Sequence, residues 1–172
     1  TISLRRAGQL GEAGQMLQPL LDKSPDDIVY NLARIELDMD AQRYSQATQR
    51  LERLLKAHPG NYPLLQMQVE LLLAQSRPAE AEAILDRLLR ERPKDPDIWY
   101  QVAEVRGLAG NIIGVHQARA EFFALVGDYG QALTQLDYAK RRVIGNFPLT
   151  ARIEARQDEL RTEKRLLEEM LR

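Results

Sequence analysis

The side chains best suited to catalysis or metal binding in this chain are two histidines, His58 and His116. A zinc hydrolase needs such side chains in the motif His-Glu-x-x-His, and neither histidine belongs to one. His58 precedes a proline at an expected helix end, where a cation suits the exposed carbonyl groups. His116 opens the helical stretch 116–121. We therefore expect no metal site, no cofactor and no catalytic residue in this chain.

Three acidic residues, Glu36, Asp38 and Asp40, have the spacing that opens a calcium-binding loop. Ala41 stands where such a loop requires glycine, and Ala47 stands where the bidentate glutamate belongs. Calcium binding is therefore not predicted. A solvent-exposed helix end explains these carboxylates better.

Phosphate and nucleic-acid sites are not predicted either. Gly107, Gly110 and Gly114 are not followed by the Gly-Lys-Ser/Thr sequence of a phosphate loop. The basic run 140–142 is expected to close a helix, where positive charge suits the helix dipole, and the net charge of the chain is only -1. The absence of cysteine excludes thiol chemistry, and no apolar run is long enough to span a membrane.

A repeat of 34 residues organises the elements that would position any site. An alanine, three leucines and a proline recur as Ala13, Leu17, Leu20, Leu21 and Pro25, then as Ala47, Leu51, Leu54, Leu55 and Pro59, then as Ala81, Leu85, Leu88, Leu89 and Pro93. The alanine and leucines lie on one stripe of a helix, and the proline ends that helix. Breaks at residues 8–11, 40–44 and 76–78 divide each copy into a hairpin. This period resembles that of the tetratricopeptide-repeat family, whose fold is an all-α solenoid of antiparallel helical hairpins.

We expect a single solenoid domain over residues 1–172. Its expected repeats are about 1–25, 26–59, 60–93 and 94–126, with one hairpin out of phase at 112–143 and a final helix at about 149–171. The final helix carries its apolar residues on one stripe, so we expect it to cap the solenoid, or alternatively to form a dimerisation surface. The chain starts at Thr1 inside an expected helix over residues 2–7, so we expect it to be part of a longer protein.

The out-of-phase hairpin follows from two glycines. Gly110 and Gly127 are 17 residues apart, which is half a repeat, and each is expected to close a helix. The expected helices there cover about 98–109, 112–126 and 129–143.

The resemblance to tetratricopeptide repeats implies a concave groove that binds segments of protein partners and is lined by the first helix of each hairpin. Mapped onto this chain, the groove candidates are Tyr30, Arg34, Gln66, Glu70, Tyr100, Glu104, Gln117 and Glu121. The two tyrosines would offer rigid contact area with a polar tip, although both could instead pack against neighbouring helices. Trp99 is expected in the core.

A narrower resemblance rests on one stretch of the chain. Its matching segments are 98–104, 110–111, 116–123, 127–129 and 135–136, with Ala132 and Ala139. This stretch resembles the C-terminal repeat region of periplasmic zinc metalloproteases of the beta-barrel assembly-enhancing type. The resemblance implies a bacterial parent in the periplasm, with its zinc and its catalytic motif in a separate protease domain.

The same resemblance implies a role in outer-membrane protein assembly and quality control. The implied partners are the beta-barrel assembly machinery, its clients and the parent's own protease domain. Three alternatives remain: a free-standing cytoplasmic adaptor for another assembly or secretion complex, a purely structural domain whose groove the protease domain fills, and an enzyme acting from this chain alone. The last has no support in the sequence.

Overall fold

The computed structural model describes residues 10–171, and within that range it contains helices and no strands. The helices are α1 (Leu10–Lys23), α2 (Ile28–Asp40), α3 (Tyr44–Ala57), α4 (Tyr62–Ala74), α5 (Pro78–Glu91), α6 (Pro96–Leu108), α7 (Ile112–Leu125), α8 (Tyr129–Arg142) and α9 (Phe147–Met170). The predicted all-α fold of helical hairpins is confirmed. The helix expected over residues 2–7 lies outside the described residues. Of the expected break at residues 8–11, Leu10 and Gly11 are already part of α1.

Most helices begin at a side chain that caps the free amide groups of the first turn. The capping residues, each accepting a hydrogen bond from a backbone N–H of the first turn, are Asp27, Asn61, Asp95, Asn111, Asp128 and Asn146. Such a cap stabilises a helix by about 1 kcal/mol. Proline follows in the first turn of α4, α6 and α9, where a missing N–H costs nothing. The caps therefore explain why α6 starts at Pro96 and α9 at Phe147, slightly before the predicted boundaries.

The chain divides into two compact units, unit 1 (Thr1–Ala81) and unit 2 (Glu82–Arg172). In unit 1, α2 packs against α1, α3 and α4, and in unit 2 each of α6, α7 and α8 packs against the next helix. Buried clusters in unit 1 include one around Ala13 and Leu17 and one around Ala47 and Leu51. In unit 2 one buried cluster lies around Leu136, and further buried residues, among them Ile98 and Val102, lie outside it.

The repeated alanine and the first repeated leucine are buried in every copy, as their spacing predicts. Ala13, Ala47 and Ala81 are fully buried, and Leu17, Leu51 and Leu85 are at most 2% exposed. The next position varies between copies. Leu54 and Leu88 are buried, whereas Leu20 is 40% exposed and Leu21 takes the core-facing place.

Four tight turns share one backbone conformation in which a residue at the helix end has positive φ. These residues are Gln42 (φ 57°), Ser76 (φ 58°), Gly110 (φ 74°) and Gly127 (φ 84°). In each turn the next N–H donates to a carbonyl five residues back, at 2.7–2.9 Å, which is the bonding of a Schellman motif. The first three lie one repeat apart, although glycine occupies the left-handed position only in unit 2.

Two expectations about side chains were wrong. Trp99 is half-buried and its indole N–H donates to the carbonyl of Pro93 at 2.9 Å, while Ile98 occupies the core. Neighbouring residues on a helix point about 100° apart, and here Ile98 takes the direction that faces the core. Asp38, expected at a solvated helix end, is only 2% exposed.

The final helix covers the core of unit 2 only along its first half. Three of its residues are buried. Ile153 and Leu160 belong to the cluster around Leu136, and Gln157 lies between them along the helix. No residue of 161–171 is buried. Leu167 and Leu171, expected to continue the apolar stripe, are 38% and 78% exposed.

Candidate protein-binding surfaces

Of the groove candidates in unit 1, Tyr30 packs inside the unit. Its half-buried ring lies against the cluster formed by Ala13, Leu17 and Leu37. This is the alternative that the sequence left open for the tyrosines. Tyr30 therefore offers little surface to a partner.

The candidates on α4 differ from each other in exposure. Gln66 is half-buried and its Nε2 donates to the hydroxyl of Tyr62 at 2.5 Å, while Glu70 is exposed. The Oε1 atom of Gln66 is buried and accepts no hydrogen bond from any described residue. Gln66 is thus held in place, and Glu70 faces solvent.

Arg34 belongs to a different surface, a cleft between α2 and α3 that we call the arginine cleft. Its lining residues are Arg34, Asp38, Gln46, Gln49, Arg50 and Arg53, and its volume is about 370 Å³. This is at the small end of ligand pockets, which span roughly 300–1,000 Å³.

Two buried polar side chains on α2 position the arginines of this cleft. Asp38 accepts hydrogen bonds from Nε and Nη2 of Arg43 at 3.0 and 2.8 Å and from Nε of Arg34 at 3.4 Å. Asn31, fully buried, accepts at Oδ1 from Arg50 at 2.8 Å and from Arg53 at 3.4 Å. Its Nδ2 donates to the carbonyls of residues 25 and 27 at 2.8 and 2.7 Å, which fixes the orientation of the amide.

Positive charge exceeds negative charge in the arginine cleft. Three arginines line it with one carboxylate, Asp38, which Arg43 already pairs from outside the lining. Burial, and next the neighbouring Arg34, lower the pKa of Arg50. The Nε of Arg50 is buried and has no hydrogen-bond partner among the described residues. An anion placed here would reduce the excess of positive charge.

In unit 2 the candidates on α6 are exposed. Tyr100 is 54% exposed, and its ring meets Phe122 of α7 edge to face, with centroids 5.8 Å apart and an interplanar angle of 62°. Glu104, one turn further along α6, is exposed as well. We call these three residues the Tyr100 surface.

The candidates on α7, Gln117 and Glu121, line another cleft, the cap cleft, of about 480 Å³. The other residues that line it are Asp86, Leu89, Trp99, Arg106, Leu136, Leu149, Arg152, Ile153 and Arg156. Tyr100 and Glu104 do not line it, so the structure separates the four candidates of unit 2 into two surfaces.

Glu121 is already paired within the chain. Arg156 of α9 donates from Nε and Nη2 to its two carboxylate oxygens at 2.9 and 2.8 Å. Arg156 also pairs with Glu159 at 2.8 Å and Glu163 at 3.2 Å. The hydrogen bond to Glu121 is the largest of the effects that raise the pKa of Arg156.

Sequence reasoning missed the residues that build the arginine cleft. Asn31, Arg34 and Asp38 lie at i, i+3 and i+7 on α2, and Arg50 and Arg53 lie at i and i+3 on α3. These spacings place each set of polar side chains on one helix face. That pattern in the sequence could have predicted the cleft.

No group of three or more histidine, cysteine, aspartate or glutamate side chains within residues 10–171 is arranged to hold a metal ion. His116 instead shares a hydrogen bond of 2.8 Å with Gln135 and contacts the ring of Tyr138. In the same range, no helix combines the length and the apolar character needed to cross a membrane.

The repeats and the fold match known proteins. A tetratricopeptide-repeat family model matches residues 4–67 and 38–105. A tetratricopeptide-repeat protein from Parabacteroides merdae has a similar crystal structure, with a TM-score of 0.57 and 16% sequence identity over 87% of this chain. A thermophilic repeat protein from Thermus thermophilus gives a TM-score of 0.54 and 16% identity over 90% of this chain and 93% of its own.

The chain spans 65% of the length of the Parabacteroides protein. No curated protein sequence matches it. At 16% identity the two crystal structures establish the fold alone. Because the two ranges matched by the family model span more than half of the 172 residues, the chain belongs to the tetratricopeptide-repeat family, whose domains serve in protein–protein interaction.

Proposed function

We propose that the chain binds segments of protein partners through the Tyr100 surface. The observation that carries this proposal is the 54% exposure of Tyr100, whose ring is held against Phe122. A tyrosine that is fixed in orientation contributes contact area at little cost in conformational entropy, and tyrosine is enriched among the residues that dominate binding energy. Domains of this family are generally non-catalytic, so binding is the activity to test.

Tyr30 provides a matched control for this surface. It is the same residue type on a helix of the same kind in an earlier hairpin, but it lies three residues after its N-cap Asp27, whereas Tyr100 lies five residues after Asp95, and it packs inside unit 1. A photoreactive phenylalanine analogue would replace Tyr100 in one variant and Tyr30 in another, within the full-length parent protein in cells. We expect trapped partner proteins at Tyr100 and few or none at Tyr30. Equal capture at both positions, or capture at Tyr30 alone, would contradict the proposal.

We further propose that the chain is a docking domain of a periplasmic zinc metalloprotease that acts in outer-membrane protein assembly and quality control. The support is the resemblance carried by residues 98–139. In this proposal the zinc and the catalytic residues belong to the parent's protease domain, and this chain supplies the contacts to the assembly machinery, to its clients or to the protease domain itself.

The proteins trapped at Tyr100 test this second proposal. Capture of the beta-barrel assembly machinery or of barrel clients would support it, and capture of cytoplasmic proteins would replace it with the cytoplasmic adaptor. The gene provides an independent check, because the proposal requires a signal peptide and a His-Glu-x-x-His motif upstream of the coding region for residue 1.

A further inference from the structure

The arginine cleft contains N–H donors from which no residue of the described range 10–171 accepts a hydrogen bond. Asn31 accepts from Nη1 of Arg50 and from Nη2 of Arg53, which fixes both side chains through one contact each. A guanidinium carries several more N–H donors in a fixed planar arrangement. The Nε of Arg50 is buried and has no partner among the described residues. The remaining terminal N–H groups of Arg50 and Arg53 are therefore held in a fixed orientation beside the cleft, and the buried Nε shows that the Arg50 guanidinium is partly desolvated.

The charge around these donors is not balanced by the residues that face them. Arg34 and Arg53 both oppose the positive charge of Arg50, and Asp38 alone favours it. Asp38 is shared with Arg43, whose Nη2 lies 2.8 Å from it. In unit 2, by contrast, the partly buried Arg156 is paired with three carboxylates of its own unit.

We propose that the arginine cleft binds the carboxylate groups of an acidic segment of a protein partner. Guanidinium groups bind carboxylates through paired hydrogen bonds, and such bonds are stronger where water is partly excluded. Exposed Gln46 and Gln49 at the edge of the cleft add amide groups, which can donate to and accept from a peptide backbone. Asp38 in the lining disfavours the higher charge of a phosphate dianion.

This inference rests on the chain being a protein-binding domain, but it involves a surface in unit 1 that shares no residue with the Tyr100 surface. The arginine cleft would give specificity for negatively charged partners. The contact area of the Tyr100 surface does not by itself give that specificity. The two proposals can consequently fail separately.

The probe is a fluorescein-labelled hexaglutamate peptide, with a hexaglutamine peptide as its control. We expect saturable binding of hexaglutamate to the chain by fluorescence anisotropy, weaker binding at high ionic strength, and no binding of hexaglutamine. In NMR spectra, the side-chain Nε–H signals of Arg50 and Arg53 should shift on titration, whereas that of Arg156 should not. Shifts confined to other arginines would overturn the proposal.

The test variant is Arg53→Gln, because Arg53 is exposed and its bond to Asn31 is long, at 3.4 Å, so the fold should be retained. Its control, Arg141→Gln, removes the same charge from an exposed position at the end of α8. We expect Arg53→Gln to weaken hexaglutamate binding roughly tenfold and Arg141→Gln to change it less than about twofold.

Three results would overturn the inference. Equal losses in both variants would show attraction by net charge only. Equal binding of hexaglutamine would show that the carboxylates are not recognised. Tighter binding of inorganic phosphate than of hexaglutamate, abolished by Arg53→Gln, would assign the cleft to phosphate. If hexaglutamate binding is lost while Tyr100 still captures partners, only the arginine-cleft inference fails.

Discussion

The arginines of the two units have opposite kinds of partner. In unit 2 the guanidinium of Arg156 joins α9 to Glu121 of α7 and pairs with two further carboxylates. In unit 1 the guanidinium groups of Arg50 and Arg53 converge on the neutral amide of Asn31. The first arrangement is internally neutralised and joins two helices. The second leaves charge and hydrogen-bond donors available, which is why we assign a ligand to unit 1 and a stabilising role to Arg156.

The difference also shows that exposure and residue type alone do not identify a binding arginine. Arg156 and Arg34 are similarly exposed, at 28% and 24%. What separates them is the number of carboxylates within reach. An arginine in such repeats is therefore a better candidate for ligand binding when few carboxylates of the chain lie near its guanidinium group.

The largest expected loss of stability comes from truncating core leucines, and it tests whether the two units unfold independently of each other. Leu51→Ala in unit 1 and Leu136→Ala in unit 2 each truncate a leucine that is 2% exposed, and each should cost about 3 kcal/mol of unfolding free energy. Since repeat proteins are held together by contacts between neighbouring helices, we expect hydrogen exchange to speed up mainly in the unit that carries the substitution. Uniform acceleration along the chain in both variants would show one cooperative block and would break the comparison.

The next prediction compares the loss of one carboxylate near the arginines of unit 1 with the loss of one carboxylate near Arg156 in unit 2. Among the described residues that line the arginine cleft, Asp38 is the one carboxylate, so Asp38→Asn leaves like charges together and should cost about 3 kcal/mol of unfolding free energy. Glu121→Gln should cost only about 1 kcal/mol, because Arg156 keeps Glu159 and Glu163. Urea denaturation of the two variants measures both values. The opposite order would mean that Glu121 holds unit 2 together more strongly than Asp38 holds unit 1.

The smallest expected changes in stability come from substitutions in the left-handed turns of the two units. Gly127→Ala places a side chain at φ 84°, where no atom obstructs the Cβ, so its cost is backbone strain alone, about 1 kcal/mol. Gln42→Gly should do the opposite and stabilise unit 1 by about 0.5 kcal/mol, because glycine relieves that strain at some cost in entropy. Thermal unfolding of both variants by circular dichroism provides the measurement. A destabilised Gln42→Gly would show that the glutamine side chain contributes to the turn.

Much of the fold follows from the sequence because a hairpin repeat is a local pattern. The recurrence of Ala13, Ala47 and Ala81 predicts three close helix contacts, and all three residues are fully buried. Helices are likewise present close to the expected ranges 112–126 and 129–143, as α7 and α8. These features depend on spacings within a helix or between neighbouring helices, which the order of residues displays directly.

The candidate site was harder to predict because it depends on contacts between helices. Tyr30 lies three residues after the N-cap Asp27, and Tyr100 lies five residues after the N-cap Asp95. The two tyrosines therefore lie on different faces of their helices, so one packs on the cluster around Ala13 and the other faces solvent. Asp38 was assigned to the surface because a polar residue near a helix end is usually solvated. Its burial depends on Arg34 and Arg43 closing over it, and the pattern of polar and apolar residues does not show that.

The left-handed turns have a consequence for how such a chain can change in length. Gln42, Ser76 and Gly110 hold the same backbone conformation one repeat apart, although their side chains have nothing in common. A genetic exchange that joined the chain before one of these residues to the chain after a neighbouring one would add or remove one repeat of two helices and leave the turn intact. The turns are thus natural points of recombination, at which the number of repeats can evolve while each helix keeps its own sequence.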